Sequence, residues 1–171
     1  MSHMVKIDTL QLSNTRSGGI LVAIRNCLVK YVQIIKTDCK YVLWFKINKF
    51  IFNTIEDVLF GVCYIPHEGS RYSSNDCFLE VEQELIKLVQ DKKYVCLMGD
   101  FNARIGHMPD YFTPDHFLSE INVCENFSHS EIEIRSNIFE KHSIPLQRVV
   151  QDSTVNNYGY KFIDMCKSND I

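Results

Sequence analysis

Tyr94-Val95-Cys96-Leu97-Met98-Gly99-Asp100-Phe101-Asn102-Ala103-Arg104 decides how this chain reads. Tyr94–Met98 is a short apolar run of strand length, and a run with no polar alternation is expected of a buried strand. Such a strand delivers Asp100 to its carboxyl end, where a carboxylate meets a hard divalent cation through oxygen. Asn102, two residues on, offers both a donor and an acceptor to the same space. Together they suit phosphodiester hydrolysis, one group holding metal or orienting water and the other fixing the attacked phosphate. The same letters also fit a strand-terminating turn in which Asp and Asn bond the local backbone. On spacing alone both readings stand.

Upstream, the pattern is a series of strands and one helix. Ile20–Ile24, Tyr41–Ile47 and Val58–Tyr64 are β-branched and aromatic runs and read as strands. Pro66 cannot donate to a ladder, so the third ends at Ile65 and passes into a loop over 67–74. Ser73 or Ser74 then caps a helix over Asp76–Gln90, whose Phe78, Val81, Leu85, Leu88 and Val89 share one stripe. Continuous apolar strands need cover on both faces, and this helix has one face to give. Downstream, periodicity fades from Gly106 to about Gln147, an irregular excursion of a length that is uncommon without a function. Tyr158, Phe162, Ile163 and Cys166 then space out as a second amphipathic helix, with Asn156 or Asn157 near its start and Asn169 as a left-handed cap.

Composition narrows the class. A chain of 171 residues, 46% hydrophobic and 23% charged, suffices for one globular domain with a sizeable core. The formal charge of −3 gives no bulk attraction to nucleic acid, so DNA contact requires a local basic face. Arg16, Arg25, Lys30 and Arg104 are candidate phosphate contacts; Lys92 and Lys93 read as a helix-end cap. No apolar stretch reaches a membrane span, and no signal-peptide core opens the chain, so an intracellular, including nuclear, protein with no membrane partner is expected. Seven cysteines without a close pair read as reduced thiols, and Cys63 and Cys96 as small core residues. That spacing disfavours a zinc site. His67, His107, His129 and His142 read as solvent-facing. Met1-Ser2-His3-Met4 resembles a cloning remnant and is set apart from the fold.

With these elements in order, the chain resembles the endonuclease/exonuclease/phosphatase superfamily, in its non-LTR retrotransposon endonuclease type. Gly99-Asp100-Phe101-Asn102-Ala103 is similar to that family's Gly-Asp-Phe-Asn-Ala motif. Gly18-Gly19-Ile20 resembles its Gly-Gly-Ile strand, and Val62-Cys63-Tyr64-Ile65-Pro66 its Val-Tyr-Ile-Pro strand end. Gln147-Arg148, Asp152, Asn156-Asn157-Tyr158-Gly159 and Phe162-Ile163-Asp164-Met165-Cys166 resemble the retrotransposon pattern that precedes a Leu-Cys helix. The resemblance covers Gly18 to the C-terminus.

It implies an α/β fold, a four-layer αββα sandwich (DNase I-like) incomplete at both ends, with residues 1–17 a partial N-terminal segment and 18–171 a partial domain. It implies Mg²⁺ (or Mn²⁺) as cofactor, with Asp100 its ligand on this chain, and DNA as partner. Asp100 would orient or activate the attacking water, Asn102 position phosphate and nucleophile, and Tyr64 contact the scissile phosphate. Tyr64 also reads simply as a core aromatic closing a strand. Two departures are plain. No glutamate precedes Glu56, where the family carries its metal ligand, and no Ser-x-Asp-His segment follows the second helix; Asp115-His116 copies the pair only in letters. The expected outcome is divalent-metal phosphodiester hydrolysis in the family and inactivity in this isolated chain. Two other functions are compatible: a non-catalytic remnant or interaction module that keeps the sandwich, and a phosphatase acting on small phosphate esters.

Overall fold

A computed structural model describes residues 2–7, 19–89, 94–109, 141–143, 145 and 149–169. They belong to two compact units, Met1–Ala103 and Arg104–Asp170. Among the described residues the fold is mixed α/β.

In the first unit, Ser2–Ile7 (β1) and Ile20–Arg25 (β2) pair antiparallel, Ile7 opposite Ile20. A 3-10 turn at Val29–Tyr31 leads into Val32–Ile35 (β3), followed by Val42–Ile47 (β4) and Val58–Tyr64 (β5). The helix Cys77–Val89 (α1) then connects to Val95–Asp100 (β6). These make a four-stranded sheet in the order β3-β4-β5-β6, antiparallel except for the parallel β5–β6 pair. A parallel pair needs a crossover, and α1 is that crossover.

Strand alternation sorts the residues onto two faces. One carries Leu43 and Phe45 with Phe60, Val62 and Tyr64, packed around Ile20 and Val22 of β2. Phe45 and Phe60 stack across the strands with ring centroids 5.4 Å apart. The opposite face carries Val42, Trp44, Leu59 and Cys63, all buried. With β2 on the first face, α1 covers the second. Its Cys77, Phe78, Val81 and Leu85 are buried, and Glu84 Oε1 accepts the Cys39 N–H at 3.2 Å. Burial also raises the thiols there: Cys39 to about 11, and Cys63 well above its ordinary range.

Several expectations need correction. β6 is a strand but not a buried one: Val95–Leu97 are half-buried and Met98 is 43% exposed. It pairs only with β5 among the described strands, so one edge lacks the neighbour that a central strand has. Cys96 is accordingly half-buried, whereas Cys63 is a core residue as expected. β2 alternates instead of being covered on both faces, with Leu21 exposed and Ile20 buried. Residues Ser2–Met4, set apart as a remnant, extend β1 and pair with Ala23–Arg25. β3 was not anticipated: four residues are too few to show a period.

The second unit contains the helix Asn157–Asn169 (α2), with Tyr158, Gly159, Ile163 and Met165 buried. Asn156 is its cap, the side-chain Oδ1 accepting the Gly159 N–H at 2.8 Å. Asn169 is not a left-handed cap. It is the last helical residue, and its Nδ2 donates to the Met165 carbonyl at 2.8 Å, satisfying an end carbonyl through the side chain instead. No helix among the described residues is long and apolar enough to cross a membrane.

Candidate active site

Because β5 and β6 are parallel, both end at the same edge of the sheet. Open α/β sheets bind ligands at such carboxyl ends. Tyr64 and Asp100 are the final register partners of the two strands, so they sit side by side on one face. Register is locked beyond them, since the Ile65 N–H donates to the Asp100 carbonyl at 2.9 Å. Gly99 makes the approach feasible. Its φ is +140°, and a Cβ there would lie 2.0 Å from the Cys63 carbonyl oxygen.

The chain then turns sharply. Asn102 takes φ +50°, a left-handed conformation that Asn tolerates better than most residues. Its N–H donates to Asp100 Oδ1 at 3.0 Å, and its Nδ2 donates to the Ile65 carbonyl at 2.8 Å. Asp100 therefore uses one carboxylate oxygen in a local turn, the arrangement that the plain turn reading anticipates. Asn102, by contrast, reaches 37 residues back to the loop after β5 and ties both strand ends together. That bond was not legible in sequence, because Ile65 contributes only its carbonyl.

The three candidates thus share one edge, in unequal roles. Asp100 is exposed and Asn102 half-buried. Tyr64 is half-buried, and its ring packs against the core around Leu43 and Phe45. The group could present a carboxylate and an amide to an incoming phosphodiester, next to a tyrosine. Toward a Mg²⁺ ion the described residues offer one carboxylate at this edge, that of Asp100. The ion demands near-octahedral oxygen ligation, and among the described residues no three His, Cys, Asp or Glu side chains group as a metal site. Asp100 has one carboxylate oxygen engaged by the Asn102 amide.

The remaining candidates lie elsewhere. In the second unit, Asn156 Oδ1 also accepts the Arg104 N–H at 2.9 Å, while the Asn156 N–H donates to the Arg104 carbonyl at 3.1 Å. Gly159 belongs to the same knot, since a Cβ there would lie 2.0 Å from the Arg104 carbonyl oxygen. Arg104 Nε meets Asp152 Oδ2 at 3.2 Å, a largely exposed ion pair. The Thr154 N–H, first, and Arg104 hold the Asp152 carboxyl below its ordinary value. Hence Arg104, Asp152, Asn156 and Gly159 serve the framework that starts α2, while Tyr158 is buried and Asn157 exposed.

His67 Nδ1 contacts the Glu68 carbonyl at 3.0 Å, and His107 and His142 are exposed. Arg25 and Lys30 lie at the opposite end of the sheet, where β2 ends and β3 begins. Arg16, Gly18, Lys92, Lys93, Asp115, His116, His129, Gln147 and Arg148 fall outside the described residues. Compared with known protein families, with curated proteins and with solved structures, the chain has no match in any of the three.

Proposed function

We propose that this chain carries the strand-end part of a divalent-metal-dependent phosphodiester hydrolase site, of the retrotransposon DNA endonuclease type, on a DNase I-like αββα sandwich. The single observation that supports it most is the joining of Asp100 and Asn102 to the end of β5, beside Tyr64. In this reading Asp100 orients the attacking water and Asn102 and Tyr64 hold the phosphate. Mg²⁺ supplies charge neutralisation when bound.

Residues 1–171 alone bind a phosphodiester but cut it slowly. A single carboxylate with one oxygen engaged by an amide anchors Mg²⁺ weakly. The test combines two assays on the whole chain. Supercoiled plasmid with Mg²⁺ or Mn²⁺ should show little nicking. A duplex with non-hydrolysable phosphorothioate linkages should bind in Mg²⁺, at least tenfold more weakly after Asp100→Ala. Robust nicking abolished by Asp100→Ala would establish an active enzyme and overturn the inactivity. Binding indifferent to Asp100→Ala and Asn102→Ala would remove the site altogether.

A second reading is favoured by one specific observation: Asp100 Oδ1 and Asn102 Nδ2 are both spent on backbone groups. A non-catalytic module that keeps the fold would use them only this way. It would show a loss of stability in Asn102→Ala and no phosphodiester binding at all.

A further inference from the structure

The other end of the same sheet has a different chemistry. β2 finishes at Arg25, the 3-10 turn and β3 begin there, and β4 turns into β5 through residues 48–57. Along β5 this end lies about 20 Å from the strand-end cluster, at roughly 3.3 Å per residue.

The 48–57 turn is well tied. The Ile51 N–H donates to the Asn48 carbonyl at 3.0 Å, and the Thr54 N–H to the Lys49 carbonyl at 3.1 Å. The Lys49 N–H donates to Asp57 Oδ1 at 3.0 Å, and Asn53 takes a left-handed φ of +54°. Yet Phe50 is 76% exposed and Phe52 49%. Phe52 leans on Phe60 with ring centroids 5.9 Å apart and leaves its other side open, so the turn presents one ring in water and one half-exposed ring beside it.

The aromatics are interleaved with cations. Lys49 Nζ sits 5.9 Å from the Phe50 ring centre, and Lys30 Nζ 4.8 Å from that of Tyr31. The two pairs are joined, because the Asn48 N–H donates to the Tyr31 carbonyl at 2.8 Å. Arg25, Lys30 and Lys49 are exposed, whereas Glu56 and Asp57 are half-buried and Asp57 is engaged by the Lys49 amide. The solvent-facing charge is therefore positive on a chain whose net charge is −3. Beside the rings an open groove of about 370 Å³ is lined by Phe52, Thr54, Val58, Phe60, Tyr94 and Val95. Flat rings with few free polar groups offer stacking without base-edge hydrogen bonds.

We infer that this end of the first unit binds single-stranded nucleic acid. Bases stack on Phe50 and Phe52 and enter the groove, and phosphates meet Arg25, Lys30 and Lys49. Charge complementarity selects a polyanion, and an aromatic-lined slot selects one that carries flat rings. The inference is independent of the strand-end site: Asp100 takes no part in it.

The test is fluorescence anisotropy of the whole chain with a labelled 20-nucleotide oligothymidylate and an abasic strand of equal length. The thymidylate should bind with a log–log salt slope of about −2, from three cations at ~0.7 each. The abasic strand should bind at least tenfold more weakly. In metal-free buffer, Phe50→Ala should cost the thymidylate about tenfold and Lys30→Gln should flatten the slope, while Lys87→Gln, exposed on α1, changes neither. All three variants alter exposed side chains, and an unchanged melting temperature verifies their folding. Equal affinity for the abasic strand would overturn the stacking role. Phe50-dependent binding to phosphatidylserine vesicles without oligonucleotide binding would overturn the assignment, as would a Phe50-dependent dimer.

Discussion

The two ends of the four-stranded sheet use polar and apolar side chains in opposite ways. At the end of β5 and β6, the side chains of Asp100, in an exposed turn, and Asn102, half-buried, bond to backbone groups and close the edge. At the 48–57 turn the backbone satisfies itself, and Phe50 and Phe52 are left facing water. The first arrangement couples any ligand site to the integrity of the fold, because the residues that would meet a phosphate also hold the strands. The second separates them at Phe50, whose ring can be removed without touching the framework, whereas Phe52 leans on Phe60 with ring centroids 5.9 Å apart. Substitutions should therefore split into those that unfold and those that leave stability alone.

The largest effect falls at Gly99. Alanine there combines a strained φ, which costs about 1–3 kcal/mol, with a collision on the Cys63 carbonyl that adds about 1–3 kcal/mol. Urea unfolding of Gly99→Ala should show a loss of at least about 2 kcal/mol, the lower sum of those two. An unchanged midpoint would mean that β5 and β6 do not approach as described.

Asn102→Ala comes next. It strips the Ile65 carbonyl of its side-chain partner at 2.8 Å and places Ala at φ +50°. The expected loss is about 1–3 kcal/mol, and Asn102→Gly should recover part of it by relieving the backbone. Equal losses for Ala and Gly would show that the left-handed turn contributes nothing. At the opposite end, Phe50→Ala should shift stability by less than about 0.5 kcal/mol, as for exposed residues outside special contacts. A loss above 1 kcal/mol would sink the contrast between the ends.

Much of this frame is legible in the sequence, and the failures have physical causes. β4, β5 and α1 announce themselves because length, β-branching and an apolar stripe persist over six residues or more. β6 announces its strand character and not its exposure: an apolar run reports that a segment favours a sheet, whereas burial depends on how many neighbours flank it. The exposed rings of 48–57 are invisible for the same reason, since Phe50-Ile51-Phe52 has core composition. At the site, Asp100 and Asn102 stand out as letters. What Asn102 bonds to does not, since the Ile65 carbonyl is a backbone atom that any residue type supplies.

Thiol chemistry gives a smaller readout of the same sheet. Cys27 is exposed, whereas burial raises Cys39 to about 11 and keeps Cys63 protonated. At pH 8 a maleimide should label Cys27 first and Cys63 last, because the thiolate is the reactive form. Early labelling of Cys63 in the folded chain would contradict the packing of α1 on its face.

The smallest effect lies in the second unit. The folded Asp152 carboxyl titrates below its ordinary value, so its contribution is present above the unfolded pKa and disappears as pH falls through the folded one. The carboxyl is exposed. Asp152→Asn should therefore only slightly reduce the fall in melting temperature between pH 6 and pH 2. An increase in that fall would reverse the sign.

The claim that Tyr64, Asp100 and Asn102 form a phosphodiester site is tested most directly by amide chemical shifts. The whole isotope-labelled chain is titrated with a short phosphorothioate duplex in Mg²⁺. The expected result is movement of the amides at 64, 65 and 99–103, absent without Mg²⁺ and lost in Asp100→Ala. Movement confined to 48–57, or none anywhere, would contradict it.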